Sequence, residues 1–363
     1  MYQVYDLDAP SRWNHALESV PEADVFYFPG YCKLFEEEKK EQGKLFVCET
    51  KEGNLLYPFF LRRINDLPYF RGKLSSEYYD VISPYGYGGP LCSNLRDPKI
   101  INYFQEMWQK YCQENNIVTE FIRFHPLLMN HLYPWQDDLD GLKVEKVKKV
   151  VAVDLTLTEN EIWLSYQYHN RKNINKAVRE NLEVCIEENS DHLKDFEKIY
   201  LATMKRRQAS SQYYFSHQFF NHIQEYLPEN FAYAYVLKDK EIISAELLLF
   251  NRSFIHSFLG GTLPEFFSSR PNNLLKHQVI LWAKSKGIKY FLLGGGYAEN
   301  DGIYKYKLSF APEGVRDFYV GKRVINAEAV DLLEKVRREE GIKQGTSIVE
   351  KNQFFPSYRE GAD

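Results

Sequence analysis

Apolar and polar residues alternate from Lys44 to Glu49 and again from Leu55 to Arg63, and the polar stretch Lys51 to Asn54, with Gly53, predicts a β-hairpin turn between them. A third strand is expected near Tyr79 to Ser83. Ile101, Phe104, Met107, Trp108 and Tyr111 recur at helical spacing, which predicts a helix from Pro98 to Gln113, and Val118 to Phe124 reads as a fourth strand. The order is β-β-β-α-β. It returns in the second half: strands at Phe231 to Leu237 and Glu241 to Phe250 flank the turn Lys238 to Lys240, Phe254 to Leu259 is a third strand, Asn272 to Lys286 a helix, and Lys289 to Leu293 a strand. Pro271 suits the first position of that helix, Leu274, Leu275, Gln278, Val279 and Trp282 follow its period, and Gly287 stops it. An order repeated once over about 170 residues predicts two similar domains rather than a solenoid, which needs at least three short repeats.

Between the halves, Lys143 to Leu157 alternates into a strand. Thr158 with Glu161 makes a capping box that opens a helix expected to run through Asn181. On it Lys172, Lys176 and Arg179 fall at i, i+4 and i+7, with Arg171 beside them, so a basic stripe lines one face, either solvated or turned into a cleft. Glu328 to Arg338 is amphipathic, and the last stretch of chain shows no pattern. The expected division is residues 1–150, residues 151–325, and a C-terminal helix and tail over 326–363.

The chain has 363 residues, which fits two domains of ordinary size. Hydrophobic residues at 44% and charged residues at 26% are those of a globular protein, and aromatics are abundant at 16%. A net charge of -4 gives no global basic field for nucleic acid, so anionic partners must be held locally. Cys32, Cys48, Cys92, Cys112 and Cys185 form no C-x-x-C pair, which argues against a zinc ribbon or disulfide framework and fits a reducing cytoplasm. Neither a signal peptide nor an apolar run long enough to span a membrane is read.

The most informative stretch is 289–310. A strand runs into Gly294, Gly295 and Gly296, then an acidic turn, then Tyr304, Lys305, Tyr306, Lys307 and Phe310. Glycines at a strand end let a ligand or a neighbouring segment approach the backbone, and the lysines behind them suit an anion. If the second part is a strand, Lys305 and Lys307 share a face. The bland reading is a loose turn followed by a wet strand. No G-x-x-x-x-G-K-[ST], G-x-G-x-x-G, G-x-S-x-G or H-E-x-x-H occurs, so nucleotide hydrolysis, dinucleotide binding, serine hydrolysis and zinc proteolysis lack their minimal parts. His125, beside Arg123 at the end of the strand Glu120 to Phe124, reads as a polar pair or as a turn cap, and no metal site is expected. What remains, cations with backbone amides freed where strands splay, suits acyl transfer to an amine, which needs no covalent nucleophile when positioning supplies much of the acceleration.

Four segments together resemble the Fem-type (FemAB/FemX-like) peptidyltransferase branch of the GNAT acyltransferase superfamily. Arg171-Lys-Asn-Ile-Asn-Lys-Ala177 followed by Leu182-Glu-Val184 resembles its "R-x-N-I-x-K-A … V-x-V" segment. Pro84-Tyr-Gly-Tyr-Gly-Gly-Pro90 resembles a first-domain loop, Arg123-Phe-His-Pro126 an "R-F-H-P" strand end, and Tyr306-Lys307 with Phe310 the "F-K-x-x-F" element near the reaction centre. The resemblance implies an α+β fold of two tandem GNAT-like domains, with mixed, mostly antiparallel sheets flanked by helices and a cleft between them. By position it implies catalytic roles for Lys307 and Tyr306, and substrate binding by Tyr85, Arg123, Arg171, Lys172, Lys176, Gly294, Gly295, Lys305 and Phe310. Two family features are missing: the [RQ]-x-x-G-x-[GA] pyrophosphate loop of CoA-binding relatives, where Phe266 to Asn273 stands, and the helical hairpin that some relatives insert for transfer RNA.

The resulting expectation is a cytoplasmic N-acyltransferase with no tightly bound cofactor. It would use acyl-CoA as co-substrate and an amine of a sugar-nucleotide or cell-envelope glycan or peptidoglycan precursor as acceptor. Aminoacyl-tRNA is the alternative donor, less favoured because of the acidic charge. From another class, the chain could be a catalytically silent protein that binds an anionic glycan or a partner.

Overall fold

A computed structural model describes residues 1–94, 98–135, 141–298, 300–343 and 354–361. The tail expected after the C-terminal helix lies partly outside these residues. The chain folds as two compact units: unit 1 is Met1–Val147 with Phe318–Asp363, and unit 2 is Lys148–Asp317.

Unit 1 opens with β1 (Tyr2–Asp6), α1 (Pro10–Leu17) and α2 (Pro29–Lys39), then the predicted hairpin β2 (Gln42–Glu49) and β3 (Asn54–Arg63). β4 (Tyr79–Ile82), the short β5 (Leu91–Cys92), α3 (Pro98–Glu114) and β6 (Ile117–Arg123) follow. β2 and β3 are antiparallel, β3 and β4 are antiparallel, and β4 meets β6 in parallel after the α3 crossover. The inward face of α3 carries Phe104, Trp108 and Tyr111 onto Phe46, Tyr57 and Phe59 of the hairpin, an aromatic core with ring centres about 5 to 6 Å apart. Rings of that size bury large apolar areas, and edge-to-face packing adds to the burial.

Unit 2 begins within β7 (Lys143–Asp154) and continues through α4 (Glu159–Ser165), α5 (Tyr168–Arg179), β8 (Glu183–Glu187), α6 (Leu193–Arg207) and α7 (His217–Tyr226). The single helix expected from Thr158 is two, broken at Tyr166 and Gln167. Its capping box is present, with the Thr158 hydroxyl accepting from the Glu161 amide and the Glu161 carboxylate from the Thr158 amide. Then come β9 (Phe231–Lys238), β10 (Glu241–Phe250), β11 (Phe254–Thr262), α8 (Pro271–Ser285), β12 (Tyr290–Gly294) and α9 (Gly302–Leu308). The chain closes with β13 (Val315–Val324), whose later residues pair with β6, and α10 (Ala327–Lys343).

β9, β10 and β11 are antiparallel neighbours, and β11 meets β12 in parallel after the α8 crossover, the same plan as β2, β3, β4, α3 and β6. The β11–β12 pairing covers only Phe254–His256 against Tyr290–Leu292. Beyond it the two strands part, β11 running on to Thr262 while β12 turns to β7, where Gly294 faces Val151. Leu275, Val279 and Ile280 of α8 pack with Leu248, Ile255, Phe291 and Val151 beneath this notch. Among the described residues no helix is long and apolar enough to cross a membrane.

Candidate functional site

At the end of β12, Gly294 takes a left-handed φ of 76°, which a side chain would oppose. The space beside the next two glycines is filled by the chain itself. A Cβ on Gly295 would stand 2.8 Å from the Lys149 carbonyl, and one on Gly296 would collide with the Asp301 carboxylate. Asp301 is the N-cap of α9: it accepts from the amides of Tyr304 and Tyr297 at 2.7 Å and of Ala298 at 3.1 Å, and these donors hold its carboxyl below the ordinary range. The segment read as a possible strand is therefore helical. Two residues along a helix turn about 200°, so Lys305 and Lys307 do not share a face. Lys305 is exposed, whereas Lys307 is half-buried.

The Lys307 Nζ donates to the Gly295 carbonyl at 2.7 Å. Burial lowers its ammonium from the usual range to about 7, aided by the positive charge of Lys276 and opposed by Glu246. Tyr306 donates its hydroxyl to the Asn272 carbonyl at 2.9 Å, fastening α9 to the first turn of α8. Phe310 is fully buried, edge-on to Tyr166 and Tyr306 with ring centres 5.4 Å away in both cases, so it braces the site from the core.

The turn between α8 and β11 is held by polar side chains. Asn272 accepts from Ser244 at 3.0 Å and Thr262 at 2.8 Å, Asn273 donates to Asn170 of α5 at 2.8 Å, and Asn170 donates to the Ser309 carbonyl at 3.2 Å. Two functional candidates that sequence reasoning missed stand close by: Lys276 on α8 and Glu246 on β10, both buried and ion-paired. Their signal was a lone charge on the phase of buried apolar neighbours, as Lys276 stands with Val279, Ile280 and Ala283.

Where CoA-binding relatives carry their pyrophosphate loop, this chain has a short 3-10 turn over Pro264–Ser269, then Arg270 in the left-handed region and Pro271. Beside it lies the Glu180 carboxylate, which accepts from Ser269 at 2.5 Å and from Lys238 at 3.3 Å.

On α5, Arg171 donates to the carbonyls of Leu164, at 3.0 Å, and Tyr166, closing the end of α4. Lys176 lies 3.6 Å from Glu180, and Lys172 is exposed. Among the described residues, no hydrogen bond or ion pair joins these cations to Lys307.

Tyr85 and Arg123 belong to unit 1. Tyr31 donates to the Tyr85 carbonyl at 2.7 Å, and the Tyr85 ring stacks on Phe35 at 5.6 Å. Arg123 lies over the Phe121 ring at 5.1 Å, its guanidinium destabilised by burial and by Arg62. His125 is the turn cap: its Nδ1 accepts from the amides of Leu127 and Leu128 at 3.2 and 3.1 Å, and its Nε2 faces Asp24 at 2.8 Å.

Residues 165–308, which include Gly294, Gly295 and Lys307, match the acetyltransferase (GNAT) domain family. Comparison with curated proteins finds no sequence match. Among solved structures, FemX superposes with a TM-score of 0.68 at 11% identity, over 92% of this chain and all of FemX. A conserved protein of unknown function from Bacteroides thetaiotaomicron gives 0.55 at 10% identity, over 89% of this chain and all of that one. The C-terminal domain of a putative lysylphosphatidylglycerol synthetase from Agrobacterium fabrum gives 0.50 at 13% identity, over 90% and 96%. Residues 165–308 thus carry the likeness to the acetyltransferase (GNAT) domain, and the chain as a whole shares the fold of FemX.

Proposed function

We propose that the protein is an N-acyltransferase, with unit 2 as the catalytic domain. It would transfer an acyl group to an amine of a sugar-nucleotide or cell-envelope glycan precursor in the cytoplasm. The observation that carries this reading is the Lys307 amine, bonded to the Gly295 carbonyl past the notch where β11 and β12 part and lowered by burial to about 7. An amine that titrates near the working pH takes and returns a proton with little penalty. As the acceptor nitrogen bonds to the acyl carbon, its proton passes to the Lys307 Nζ. The resulting ammonium faces the oxyanion, and as the bond from the acyl carbon to the leaving group breaks, it returns the proton to that group. Tyr306 holds α9 in place, and Gly295, after the left-handed turn at Gly294, gives Lys307 its backbone partner. We assign anionic parts of the substrates to Lys172, Lys176 and Lys305 in unit 2 and to Arg123 and Tyr85 in unit 1.

Two donors supply such a carbonyl. Acyl-CoA is the donor general to this acetyltransferase fold. Aminoacyl-tRNA, the second reading, needs no pyrophosphate loop at the start of α8, where this chain has the short turn Pro264–Ser269 instead. Thermal stabilisation by acyl-CoA thioesters, set against stabilisation by charged transfer RNA, separates them. Lys307→Ala is expected to lower turnover roughly 10²-fold or more with the fold intact, as loss of an oxyanion donor does. An unchanged rate would remove Lys307 from the chemistry.

A further inference from the structure

Ser257 directly follows His256, the last β11 residue that pairs with β12. Its hydroxyl is held from two sides, accepting from the Lys276 Nζ of α8 at 2.6 Å and donating to the Glu246 carboxylate of β10. Lys276 and Glu246 are themselves ion-paired, each 6% exposed, so the three side chains close a triangle of direct hydrogen bonds. Ser257, unlike its two partners, is only half-buried.

Such an ion pair is a poor source of stability, because removing two charges from water costs about as much as their attraction returns. Its composition says more. A hydroxyl, an acceptor for its proton and a third group that orients both are the parts of an activated nucleophile. β11 is also bulged here: Leu247 of β10 faces Leu259 while Leu248 faces Ser257, which leaves Phe258 as the extra residue. A bulge bends a strand and re-aims its side chains. Among the described residues β12 pairs with β11 no further than His256, so the hydroxyl stands where that ladder has ended.

We propose that Ser257 is a nucleophile that carries the acyl group as an ester between donor and acceptor, with Glu246 as its base and Lys276 holding the reacting oxygen. In the first step the Ser257 Oγ bonds to the acyl carbon, and its proton passes along the existing hydrogen bond to Glu246. The bond from the acyl carbon to the donor's sulfur or oxygen breaks, and that atom leaves with the proton from Glu246. The Lys276 Nζ donates to Oγ whether it holds three protons or two, so the step does not depend on its charge. In the second step an amine nitrogen bonds to the acyl carbon, the bond to Oγ breaks, and the proton that the amine gives up ends on Oγ. The first step stands on the triangle alone, whereas the second rests on the reading of unit 2 as an acyltransferase.

The test needs no acceptor. The full chain is incubated with acetyl-CoA and, separately, with p-nitrophenyl acetate, quenched in acid and mapped by peptide mass spectrometry. With at least one probe an acetyl group is expected on Ser257, approaching one per chain, and alkaline hydroxylamine should remove it as it removes an ester and not an acetyl-lysine amide. Ser257→Ala, which keeps the Lys276–Glu246 pair, should lose that label. Glu246→Gln should slow its appearance roughly 10²-fold or more, as loss of a general base does. If neither probe places an acetyl group on Ser257, the proposal falls, and a Ser257→Ala variant that transfers acyl groups at the parent rate would overturn it as well. An undiminished rate of labelling in natively folded Glu246→Gln would overturn the assignment of the base. An ester that forms on Ser257 but passes its acyl group to no amine would support the nucleophile and count against the transfer reading alone.

Discussion

In unit 1 the buried Asp80 is met by two guanidiniums, Arg62 at 2.7 Å and Arg359, and Arg62 also has Glu41 at 3.9 Å. In unit 2 one buried carboxylate, Glu246, serves both Lys276 and the neighbourhood of Lys307. Burial alone would push the Asp80 carboxyl up, yet its two partners keep it below the ordinary range. Burial of Lys307 outweighs the pull of Glu246 and Asp301, and its ammonium falls to about 7. Balanced charge fastens a segment. Charge left one partner short makes an amine that exchanges protons at neutral pH.

The contrast can be broken most forcefully in unit 1. Asp80→Asn leaves two buried guanidiniums without their carboxylate and should destabilise the protein by about 3–5 kcal/mol, read from urea denaturation. In unit 2 the corresponding experiment concerns a slope. From pH 7 up to the ordinary lysine range the unfolded chain holds a proton on Lys307 that the folded chain does not, so folding stability rises with pH there, and below about 7 both states hold it. The contribution is at most about 1.4 kcal/mol per pH unit. Lys307→Met should abolish it, so that stability measured from pH 7 to 10 rises less steeply than in the parent.

A smaller effect tests an ordinary helix start. Thr158→Ala removes the α4 cap and should cost about 1 kcal/mol in chemical denaturation. The smallest is expected at the basic stripe: Lys172→Glu with Lys176→Glu should change stability by no more than about 0.5 kcal/mol. Titration of an anionic precursor at two salt concentrations should nevertheless show weaker, less salt-sensitive binding. Binding unchanged on both counts would make that stripe a solvated face.

The strand and helix order of both halves was readable because long periodic segments declare themselves, as Leu274, Leu275 and Val279 do on α8. The Gly294 turn was readable too, since a left-handed φ at a strand end calls for glycine. The helix behind it was not. Gly302–Leu308 is too short for a period to emerge, and the Asp301 cap three residues before Tyr304 was its one local signal. Lys276 and Glu246 escaped because each is a single charge inside a segment whose neighbours satisfy an apolar pattern. Which side chain meets them depends on how β10, β11 and α8 come together. Arg171 shows the reverse: its motif was evident, but the carbonyls it would cap appeared only once the expected single helix proved to be two.

The contacts of Tyr358 and Arg359 bear on how the chain is made. Tyr358 shares a hydrogen bond of 2.6 Å with Thr119, and Arg359 reaches Asp80 from 279 positions downstream. A ribosome therefore releases every residue of unit 2 before it releases the partners that complete unit 1. During that interval the growing polypeptide holds Asp80 with Arg62 but without Arg359. Unit 2 is free to mature first, and unit 1 waits for the codons of Tyr358 and Arg359.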